Sequence, residues 1–575
     1  MHPTVAPSRV SAALTLLLLA SFSFRPANAQ VVTIPPTPQE GSSNPVTAEP
    51  LVSRPSTKPC VVSLMSSAAF ENFNGQPLTY TPPAACPGPW AKVVLTADFT
   101  VTAGIQFDRT AYFYLGDANI FYGTTAEPAP SLSPSWHVER DVTDLSALFK
   151  TPQTGTASIG NIVNSTYTGI IYASAALEFY PASWKDRAPV VPDVVVPVSS
   201  GNSPATLNTG TDQLTQTLNL PRNVEKVYLD VISQSQINDE FWYFCVPNDQ
   251  TGPLESCGNT AFRETEISID GKPAGIAPVY PWIFTGGFDP YLWQPITGVQ
   301  TLNFKPYRVD LTPFAGLLAD GSQHTIAISV FNADSYFLAT ANLLVFTDHG
   351  RKEVGGGLLT NTLSAAPTPV VAEHLSTSTA GTTTGTVTVG SNRNFTISGY
   401  VETSHGRVET TVEQKVDFLS VQTFDVNTAT GPDIQNAVQT STLDSTTTTR
   451  DGFLVTSAVK HISYPLTLDY SYVINPDGTA AQVVTSNQQN LLSETDTLNG
   501  FPLFKSDKQE QVIATDTLNF NASGNLTAAG TGKSTASYQA DDSLGNCYSR
   551  SLASVNHVLT AVTDGKGCHD HDHSH

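Results

Sequence analysis

Short runs in which apolar and polar residues alternate recur along most of this chain, and turn-forming residues separate them. Alternation with a period of two is typical of antiparallel β-strands that bury one face. Asn74-Gly75 and Asp270-Gly271 mark tight turns between such runs. The clearest runs lie at residues 93–101, 109–115, 170–180, 226–232, 264–269, 324–331 and 341–346. No long stretch has the spacing of an amphipathic helix, so the pattern predicts an all-β protein.

Breaks in this pattern divide the chain into domains. Regular short strands separated by turns favour a jelly roll or β-sandwich in each of two adjacent antiparallel domains. Further on, Thr- and Ser-rich alternation, as at 408–412, predicts a third antiparallel β domain with a polar surface. The predicted segments are a signal peptide (1–29), a flexible leader (30–58), the first jelly roll (59–185), a linker (186–210), the second jelly roll (211–349), a second linker (350–385), the C-terminal β domain (386–562) and a tail (563–575).

The N-terminus has the pattern of a secretory signal peptide. Arg9 precedes an apolar run at 12–24, and Ala27-Asn28-Ala29 supplies a small-x-small cleavage site before Gln30. The run is too short for a convincing membrane span, and no other stretch approaches the roughly 18 apolar residues that a span needs. We therefore expect a secreted, extracellular protein without a membrane partner.

Six cysteines fall in three sequence-local pairs, and an even count behind a signal peptide indicates disulfides. The simplest connectivity joins Cys60 to Cys86, Cys245 to Cys257 and Cys547 to Cys568. That pairing leaves no thiol for a cysteine nucleophile. Four Asn-x-Ser/Thr sequons fit a secreted glycoprotein. They stand at Asn164, Asn394, Asn521 and Asn525.

Charge is scarce and acidic. Charged residues make up 14% of the chain, against roughly 25% in ordinary soluble proteins. The formal net charge is −22 and the isoelectric point about 4.8. Nucleic acids and anionic membranes both require a basic surface, so the balance argues against either as a partner.

The common signatures of hydrolases are absent from the sequence. It holds no Gly-x-Ser-x-Gly elbow, no His-Glu-x-x-His zinc helix and no Gly-rich phosphate loop. The histidines are scattered, so a hydrolase on this chain would have to work with carboxylates. The His-rich end, 569–575, could chelate a transition metal or form a solvated tail. We expect no metal or cofactor in the reaction.

Asp108 and Arg109 stand back to back where a strand of aromatic and small residues begins. Such a pair is either an ion pair at a sheet end or a carboxylate held for chemistry. Other acids lie beside aromatic residues, as in sugar-binding sites, where rings stack on sugars and carboxylates bind hydroxyl or amide protons. These acids are Glu127, Asp239, Glu240, Glu264 and Asp289. The alternative is an aromatic core with solvated acids at turns.

An ordered set of motifs resembles the A-type peptide:N-glycosidases of plants and fungi. The set spans most of residues 60 to 348. Its members are Gln106-Phe107-Asp108-Arg109, Thr125-Ala126-Glu127-Pro128, Trp136-His137-Val138-Glu139-Arg140-Asp141-Val142-Thr143, Asn238-Asp239-Glu240-Phe241-Trp242-Tyr243, Phe262-Arg263-Glu264, Phe284-Thr285-Gly286-Gly287, Leu292-Trp293-Gln294-Pro295-Ile296 and Tyr307-Arg308-Val309-Asp310-Leu311-Thr312-Pro313-Phe314. The resemblance implies two jelly rolls with a site at their interface.

The resemblance extends, more distantly, to the bacterial F-type enzymes, whose central aspartate lies in a Trp-Asp-Arg-Tyr-Ala motif. Phe107-Asp108-Arg109-Thr110-Ala111 is the matching stretch, so Asp108 inherits that role. A second F-type carboxylate lies in Cys-Ala-Glu-Trp-Cys-Phe-Arg, and Asn259 stands at that place in this chain. Glu240, Glu264 or Glu127 could supply the second acid from another strand.

The resemblance implies hydrolysis of the amide that joins an N-glycan to asparagine, in N-glycopeptides or denatured N-glycoproteins. We expect Asp108, Arg109 and Glu240 to be catalytic. Glu127, Trp242, Arg263, Glu264 and Trp293 are the expected substrate-binding residues. Two other functions stay open, namely a carboxylate-based glycosidase and a secreted glycan-binding β protein without activity.

Overall fold

The structure, a computed structural model, describes residues 44–529, 531–565 and 568. The predicted signal peptide and the His-rich end lie outside the described residues. Almost all regular structure is antiparallel β, arranged as two jelly rolls followed by one long sheet. The predicted fold class is confirmed. Disulfides join Cys60 to Cys86, Cys245 to Cys257 and Cys547 to Cys568.

The first domain is an eight-stranded jelly roll with its core between two four-stranded sheets. The sheets have the strand orders β1-β8-β3-β6 and β2-β7-β4-β5, the double Greek key of this architecture. Phe99, Phe113 and Phe121 meet between the sheets. The strands are β1 (Cys60–Phe70), β2 (Gln76–Tyr80), β3 (Trp90–Val101), β4 (Thr110–Leu115), β5 (Ala118–Thr124), β6 (Ser135–Asp141), β7 (Gln153–Ile159) and β8 (Ile171–Pro181), with 3₁₀ turns at Thr143–Leu145 and Leu148–Lys150.

The second domain repeats this topology. Its sheets run β10-β17-β12-β15, with β9 added beside β17, and β11-β16-β13-β14. The strands are β9 (Val194–Pro197), β10 (Ala205–Leu207), β11 (Leu214–Asn219), β12 (Val224–Gln236), β13 (Glu264–Ile269), β14 (Lys272–Pro278), β15 (Tyr307–Asp310), β16 (Gln323–Phe331) and β17 (Tyr336–Thr347). The helical turns are 3₁₀ at Ile237–Phe244 and Thr312–Phe314 and α1 at Ala315–Leu318.

The C-terminal part is one twelve-stranded sheet whose strands follow one another as a meander, with β19 and β26 added on β20 and β25. Trp242 packs on Phe418 and Tyr280 packs on Tyr464, so this sheet and the second jelly roll share one core. The strands are β18 (Gly355–Asn361), β19 (Val370–Thr377), β20 (Thr383–Thr403), β21 (Gly406–Val426), β22 (Asp433–Asp451), β23 (Leu454–Ile474), β24 (Ala480–Leu498), β25 (Phe501–Phe520), β26 (Leu526–Ala529), β27 (Lys533–Asp542), β28 (Cys547–Val555) and β29 (Val558–Asp564).

Both predicted linkers contain strands. Residues 186–210 hold β9 and β10, and residues 350–385 hold β18 and β19. The run of three glycines suggested a flexible break, but in the fold it allows backbone to approach backbone. A Cβ on Gly356 would lie 2.2 Å from the carbonyl oxygen of Tyr400 and 2.8 Å from the Cα of Gly316. Glycine is needed at this contact because any side chain would collide with α1 or β20.

The predicted leader is packed from residue 44 onward. The amide of Val46 donates to Pro295, and Val46 forms a parallel β-bridge with Ile296. Arg54 pairs with Glu139 and Glu178 of the first jelly roll. The composition of this segment predicted flexibility. The ion pairs that order it join distant residues, and such pairs leave no periodic signal in the sequence.

The described residues contain neither a membrane-spanning helix nor a cluster of metal ligands. Within 44–529 and 531–565, no helix has the length and apolar character to cross a membrane. In the same residues, no group of three or more His, Cys, Asp or Glu side chains is arranged to hold a metal ion.

Candidate active site

Three carboxyl groups lie within electrostatic range of one another where the two jelly rolls touch. Asp108 lies just before β4. Glu127 lies just after β5, the strand that pairs with β4. Glu240 comes from the second domain, in the 3₁₀ turn after β12. The charge of Asp108 acts on both glutamates, and that of Glu127 acts on Glu240. The structure therefore brings together three acids that are 19 and 113 residues apart in the chain.

Hydrogen bonds from side chains join the two domains beside this cluster. The Thr285 hydroxyl donates to the carbonyl oxygen of Thr125 at 2.8 Å and accepts the amide of Glu127 at 2.9 Å. Gln294 donates to the carbonyl oxygen of Glu127 at 2.9 Å. On the other side, Gln236, the last residue of β12, donates to Thr110 at 3.2 Å. Each domain thereby fixes the other's carboxyl groups.

Asp108 is held by a backbone amide of the other domain. The N–H of Gly286 donates to its Oδ2 at 2.9 Å. Burial raises the pKa of Asp108, while this N–H and the charge of Arg109 act to lower it. A carboxylate with a donor on one oxygen keeps lone pairs free on the other, which a general base needs.

Glu127 and Glu240 are carboxyl groups that burial keeps protonated to unusually high pH. The amide of Asp108 donates to Glu127 Oε2 at 3.3 Å. Burial and the charge of Asp108 raise the pKa of Glu127 to about 7. Burial and the charges of Asp108 and Glu127 raise the pKa of Glu240 to about 8. The charge of Asp108 raises the pKa of both glutamates, and neither glutamate acts in turn on Asp108, so Asp108 is the first of the three groups to ionise. This order separates a base from two acids.

Arg109 acts on the cluster through its charge rather than through an ion pair. In the described part of the chain its guanidinium bonds Gln106 at 3.1 Å and lies 5.5 Å from the ring centre of Phe107, with no carboxylate partner. Its charge favours the ionised forms of Asp108 and Glu127. Of the two alternatives for Asp108 and Arg109, the ion pair is therefore not formed, and the amide of Gly286 holds the Asp108 carboxyl group.

An aromatic pair stands at the edge of the cluster. Phe107 is 41% exposed, and its ring packs 5.1 Å from that of Tyr167, centroid to centroid. Across the domain junction Ile237 is 61% exposed and has φ of 52°, a strained value for a β-branched residue. Exposed apolar side chains beside buried acids are typical of a ligand-binding surface.

Comparison with known proteins identifies the family. Residues 45–363, more than half of the chain, match the family described as peptide N-acetyl-beta-D-glucosaminyl asparaginase amidase A. The chain belongs to this family. It is also 30% identical over 381 residues to the peptide-N4-(N-acetyl-beta-glucosaminyl)asparagine amidase A of Prunus dulcis, a match that covers 62% of this chain and 65% of that protein. The resemblance found in the sequence is confirmed.

Solved structures give weaker matches to this amidase A family member. One is a crystal structure of peptide-N(4)-(N-acetyl-beta-D-glucosaminyl) asparagine amidase, with 13% identity, a TM-score of 0.35 and coverage of 50% of this chain and 96% of that one. Another is PNGF-II, with 12% identity, a TM-score of 0.35 and coverage of 51% of this chain and 66% of that one.

Two tryptophans predicted to stack on substrate lie in the core of the amidase A chain instead. Trp242 is fully buried and packs on Phe418 of β21. Trp293 is 2% exposed, and its Nε1 donates to the carbonyl oxygen of Gly287 at 3.0 Å. Neither ring can meet a sugar. Near the acids, the ring of Phe107 is exposed and that of Tyr167 is half-buried; the sequence motifs did not mark these rings as a binding surface.

Arg263 and Glu264 also lie away from solvent. Arg263 forms an ion pair with Asp239 at 2.8 Å, with both side chains fully buried. Glu264 is 2% exposed and pairs with Arg393 of β20. Both predictions of substrate contact fail because these side chains hold the second jelly roll together and join it to the long sheet.

Gly286 is the residue of the site that sequence reasoning missed. It lies within the Phe284-Thr285-Gly286-Gly287 motif, so the motif carried the signal, but nothing in it shows that the amide reaches Asp108. A Cβ at this position would lie 2.2 Å from Glu127 Oε2 and 3.2 Å from Asp108 Oδ1. The motif therefore requires glycine because the two carboxyl groups crowd its Cα.

We expect Gly286→Ala to lower turnover by about a hundredfold, because displacing reacting groups by about 1 Å has an effect of that order. Gly252→Ala is the matched control, since a Cβ there meets nothing within 4 Å. Steady-state kinetics and melting temperatures of both variants make the measurement. Full activity of Gly286→Ala would show that the two carboxyl groups need not keep this arrangement.

Proposed function

We propose that this protein hydrolyses the side-chain amide that links an N-glycan to asparagine. The observation that supports this most is the trio of carboxyl groups in a partly open junction of two jelly rolls, in a chain of the amidase A family. The chain spans about 65% of the length of the Prunus dulcis relative it matches, which is named as an amidase of this kind. The products would be the intact glycan as a glycosylamine and a peptide in which asparagine has become aspartate.

Asp108 is the general base of the proposed reaction. It removes a proton from water as the water oxygen bonds to the amide carbon of the glycosylated asparagine. Two features suit it to this role: it is the first of the three acids to ionise, since its charge raises the pKa of the other two, and the amide of Gly286 fixes its orientation. The charge of Arg109 keeps the carboxylate form accessible.

Glu240 is the general acid that delivers a proton to the leaving nitrogen as the C–N bond breaks. An amide nitrogen leaves poorly unless it is protonated, so this proton is as important as the base. Glu127, also protonated, would donate its O–H to the amide oxygen on which negative charge develops, as a neutral carboxylic acid can in an apolar site. The proton taken by Asp108 then returns to solvent, and the released glycosylamine loses ammonia.

A pH profile tests the acid. Since the pKa of Glu127 is raised to about 7 and that of Glu240 to about 8, wild-type kcat should fall in two steps as pH rises and the two protons are lost. Glu240→Gln should lower kcat by about 10²- to 10⁴-fold and remove the step near pH 8. Glu225→Gln, which changes a partner of His405 outside the site, is the control. A retained step near pH 8 in Glu240→Gln would assign the acid to another group.

The aromatic pair is the proposed contact for the sugar nearest the asparagine. Phe107→Ala should raise KM by about two- to tenfold with a smaller change in kcat, because one stacked ring contributes about 0.5–1.5 kcal/mol. Phe453→Ala is the control, since Phe453 is exposed on a distant hairpin of the long sheet. An unchanged KM for Phe107→Ala would place the sugar elsewhere.

The decisive assay for this function is mass spectrometry of a defined N-glycopeptide after incubation at mildly acidic pH. Hydrolysis of the amide predicts a peptide with aspartate in place of asparagine and no sugar. A glycosidase would leave a sugar stub on the asparagine. A binding protein without activity would leave the glycopeptide intact.

We also propose that the protein is secreted and glycosylated. Support comes from the three disulfides, which persist in oxidising compartments, and from the exposure of Asn164, Asn394 and Asn525. Expression of the full-length chain should give the protein in the medium, with a mass that drops when N-glycosylation is blocked. Retention inside the cell would contradict the proposal.

A further inference from the structure

The loop that carries Gly286 is held from outside by the C-terminal sheet. Phe288 has φ of 63°, a strained backbone for an aromatic residue. From β24, Gln482 donates to the carbonyl oxygen of Phe288 at 2.9 Å and Gln488 donates to that of Pro281 at 2.7 Å. A strained loop needs such anchors to keep its amide in place on Asp108.

The same loop contributes a buried acid that the proposed reaction does not use. Asp289 is 1% exposed, and its Oδ1 accepts the amide of Tyr291 at 2.9 Å, which closes the turn. Its Oδ2 is buried and accepts no N–H or O–H from the described residues. Tyr291, whose amide Asp289 holds, packs its ring 5.5 Å from that of His557, which bonds Asp516 on β25 of the long sheet. The carboxyl groups of Asp289 and Asp516 are therefore neighbours across the contact between the loop and the sheet, and the charge of Asp516 acts on Asp289.

Asp516 is equally buried, at 1% exposure. Its Oδ1 accepts the amide of Thr517 at 2.8 Å, and its Oδ2 lies 3.1 Å from Nε2 of His557 in the β28–β29 turn. The ring of Tyr291 packs against that of His557. Two carboxylates contain only acceptors, so two such groups can bond each other only if one is protonated.

We propose that Asp289 and Asp516 are positioning residues that share one proton, and that this carboxylic acid–carboxylate bond fixes the Gly286 loop to the C-terminal sheet. The long sheet, most of which lies outside the matched family region, thereby helps to keep the amide of Gly286 on Asp108. Neither residue touches substrate. Loss of the shared proton places two buried negative charges side by side and loosens the loop.

The direction of the pH effect follows from the raised pKa of Asp289. Burial and the charge of Asp516 raise it to about 7, while His557 and the Tyr291 amide act to lower it. A carboxyl group with a raised pKa in the folded state binds its proton more tightly there than in the unfolded chain. Its contribution to stability is therefore present at acidic pH and is lost as pH rises from its usual range through about 7.

The test uses Asp289→Asn in the full-length protein. Asparagine keeps the acceptor for Tyr291 and supplies a permanent N–H donor to Asp516. Asp507→Asn is the control, because Asp507 lies on the same strand as Asp516 but its partly exposed carboxyl group pairs with Lys505. Melting temperatures are measured in mildly acidic and mildly alkaline buffer. The wild type and Asp507→Asn should lose more stability between the two buffers than Asp289→Asn loses.

The kinetic measurement depends on the proposed function, because it needs cleavage of a glycopeptide. The melting measurement does not depend on that function. With a glycopeptide substrate, Asp289→Asn should move the alkaline fall of kcat upward, giving severalfold higher kcat than the wild type just above neutral pH, with little change in KM. A purely structural link would leave the shape of the kcat profile unaltered. Equal pH-dependent losses of melting temperature in Asp289→Asn and wild type would overturn the shared proton.

If the wild type cleaves no glycopeptide, the proposed function fails and the melting comparison still decides this inference. Asp516→Asn provides the second variant. It should reproduce the reduced pH dependence, because either asparagine can donate to the remaining carboxylate. If Asp289→Asn fails to fold, Asp516→Asn carries the same comparison, and an unchanged pH dependence of its melting temperature would overturn the pair.

Discussion

Asp108→Asn should reduce the release of glycans from a glycopeptide by about 10²- to 10⁴-fold, the usual contribution of a general base. The amide side chain cannot accept the proton of water, although it has nearly the shape of the carboxylate and can still accept the N–H of Gly286. We expect the melting temperature to stay the same or to rise, since a buried charge is removed. Initial rates measured by mass spectrometry, with melting curves on the same samples, make the test.

Asp98→Asn is the matched control for this change. Asp98 is in the same domain, on β3, and is an exposed partner of His137, so its substitution should leave the rate unchanged. Near-normal release by Asp108→Asn would remove Asp108 from the reaction. It would then leave Glu127 as the other acid that contacts the Gly286 region.

Arg263→Met should destabilise the protein by about 3–5 kcal/mol, because it leaves the fully buried charge of Asp239 without its partner. Asp239 also accepts the amides of Asp334 and Ser335, so the lost pair loosens the loop that follows β16 as well. Thermal unfolding measures the change. Any loss of activity should follow the unfolded fraction, since Arg263 bonds Asp239 rather than any of the three acids.

Arg187→Met provides the comparison, since Arg187 is exposed and its loss should have almost no effect on melting. Asp239→Asn in the Arg263→Met background should recover part of the stability by removing the unpaired charge. If Arg263→Met melts normally but loses activity, Arg263 takes part in the reaction, as its sequence motif predicted, and its role is not purely structural.

The fold was largely predictable because local patterns determine it. Period-two alternation located strands such as β13, which begins at Glu264 and ends at Ile269 as expected. The strands inside the predicted linkers were not foreseen, because composition alone does not distinguish a linker from an edge strand. The three glycines at 355–357 are an example, because glycine is common both in flexible segments and where two backbones pack closely together.

The site was predictable in part. Asp108, Glu127 and Glu240 came from motifs, and the structure places all three together. Motifs do not report burial, so Trp242, Trp293 and Arg263 in equally recognisable motifs turned out to lie in the core. The contacts of Asp108 with Gly286 and of Asp289 with Asp516 join residues 178 and 227 positions apart. Single-sequence patterns carry no information on such pairs.

The most direct test of the amide hydrolysis is to run the reaction in water labelled with heavy oxygen and to locate the label. Attack of water on the amide carbon predicts one labelled oxygen in the new aspartate side chain of the released peptide, with the wild type but not with Asp108→Asn. A peptide that returns with unlabelled asparagine, or that still carries a sugar, would contradict the account.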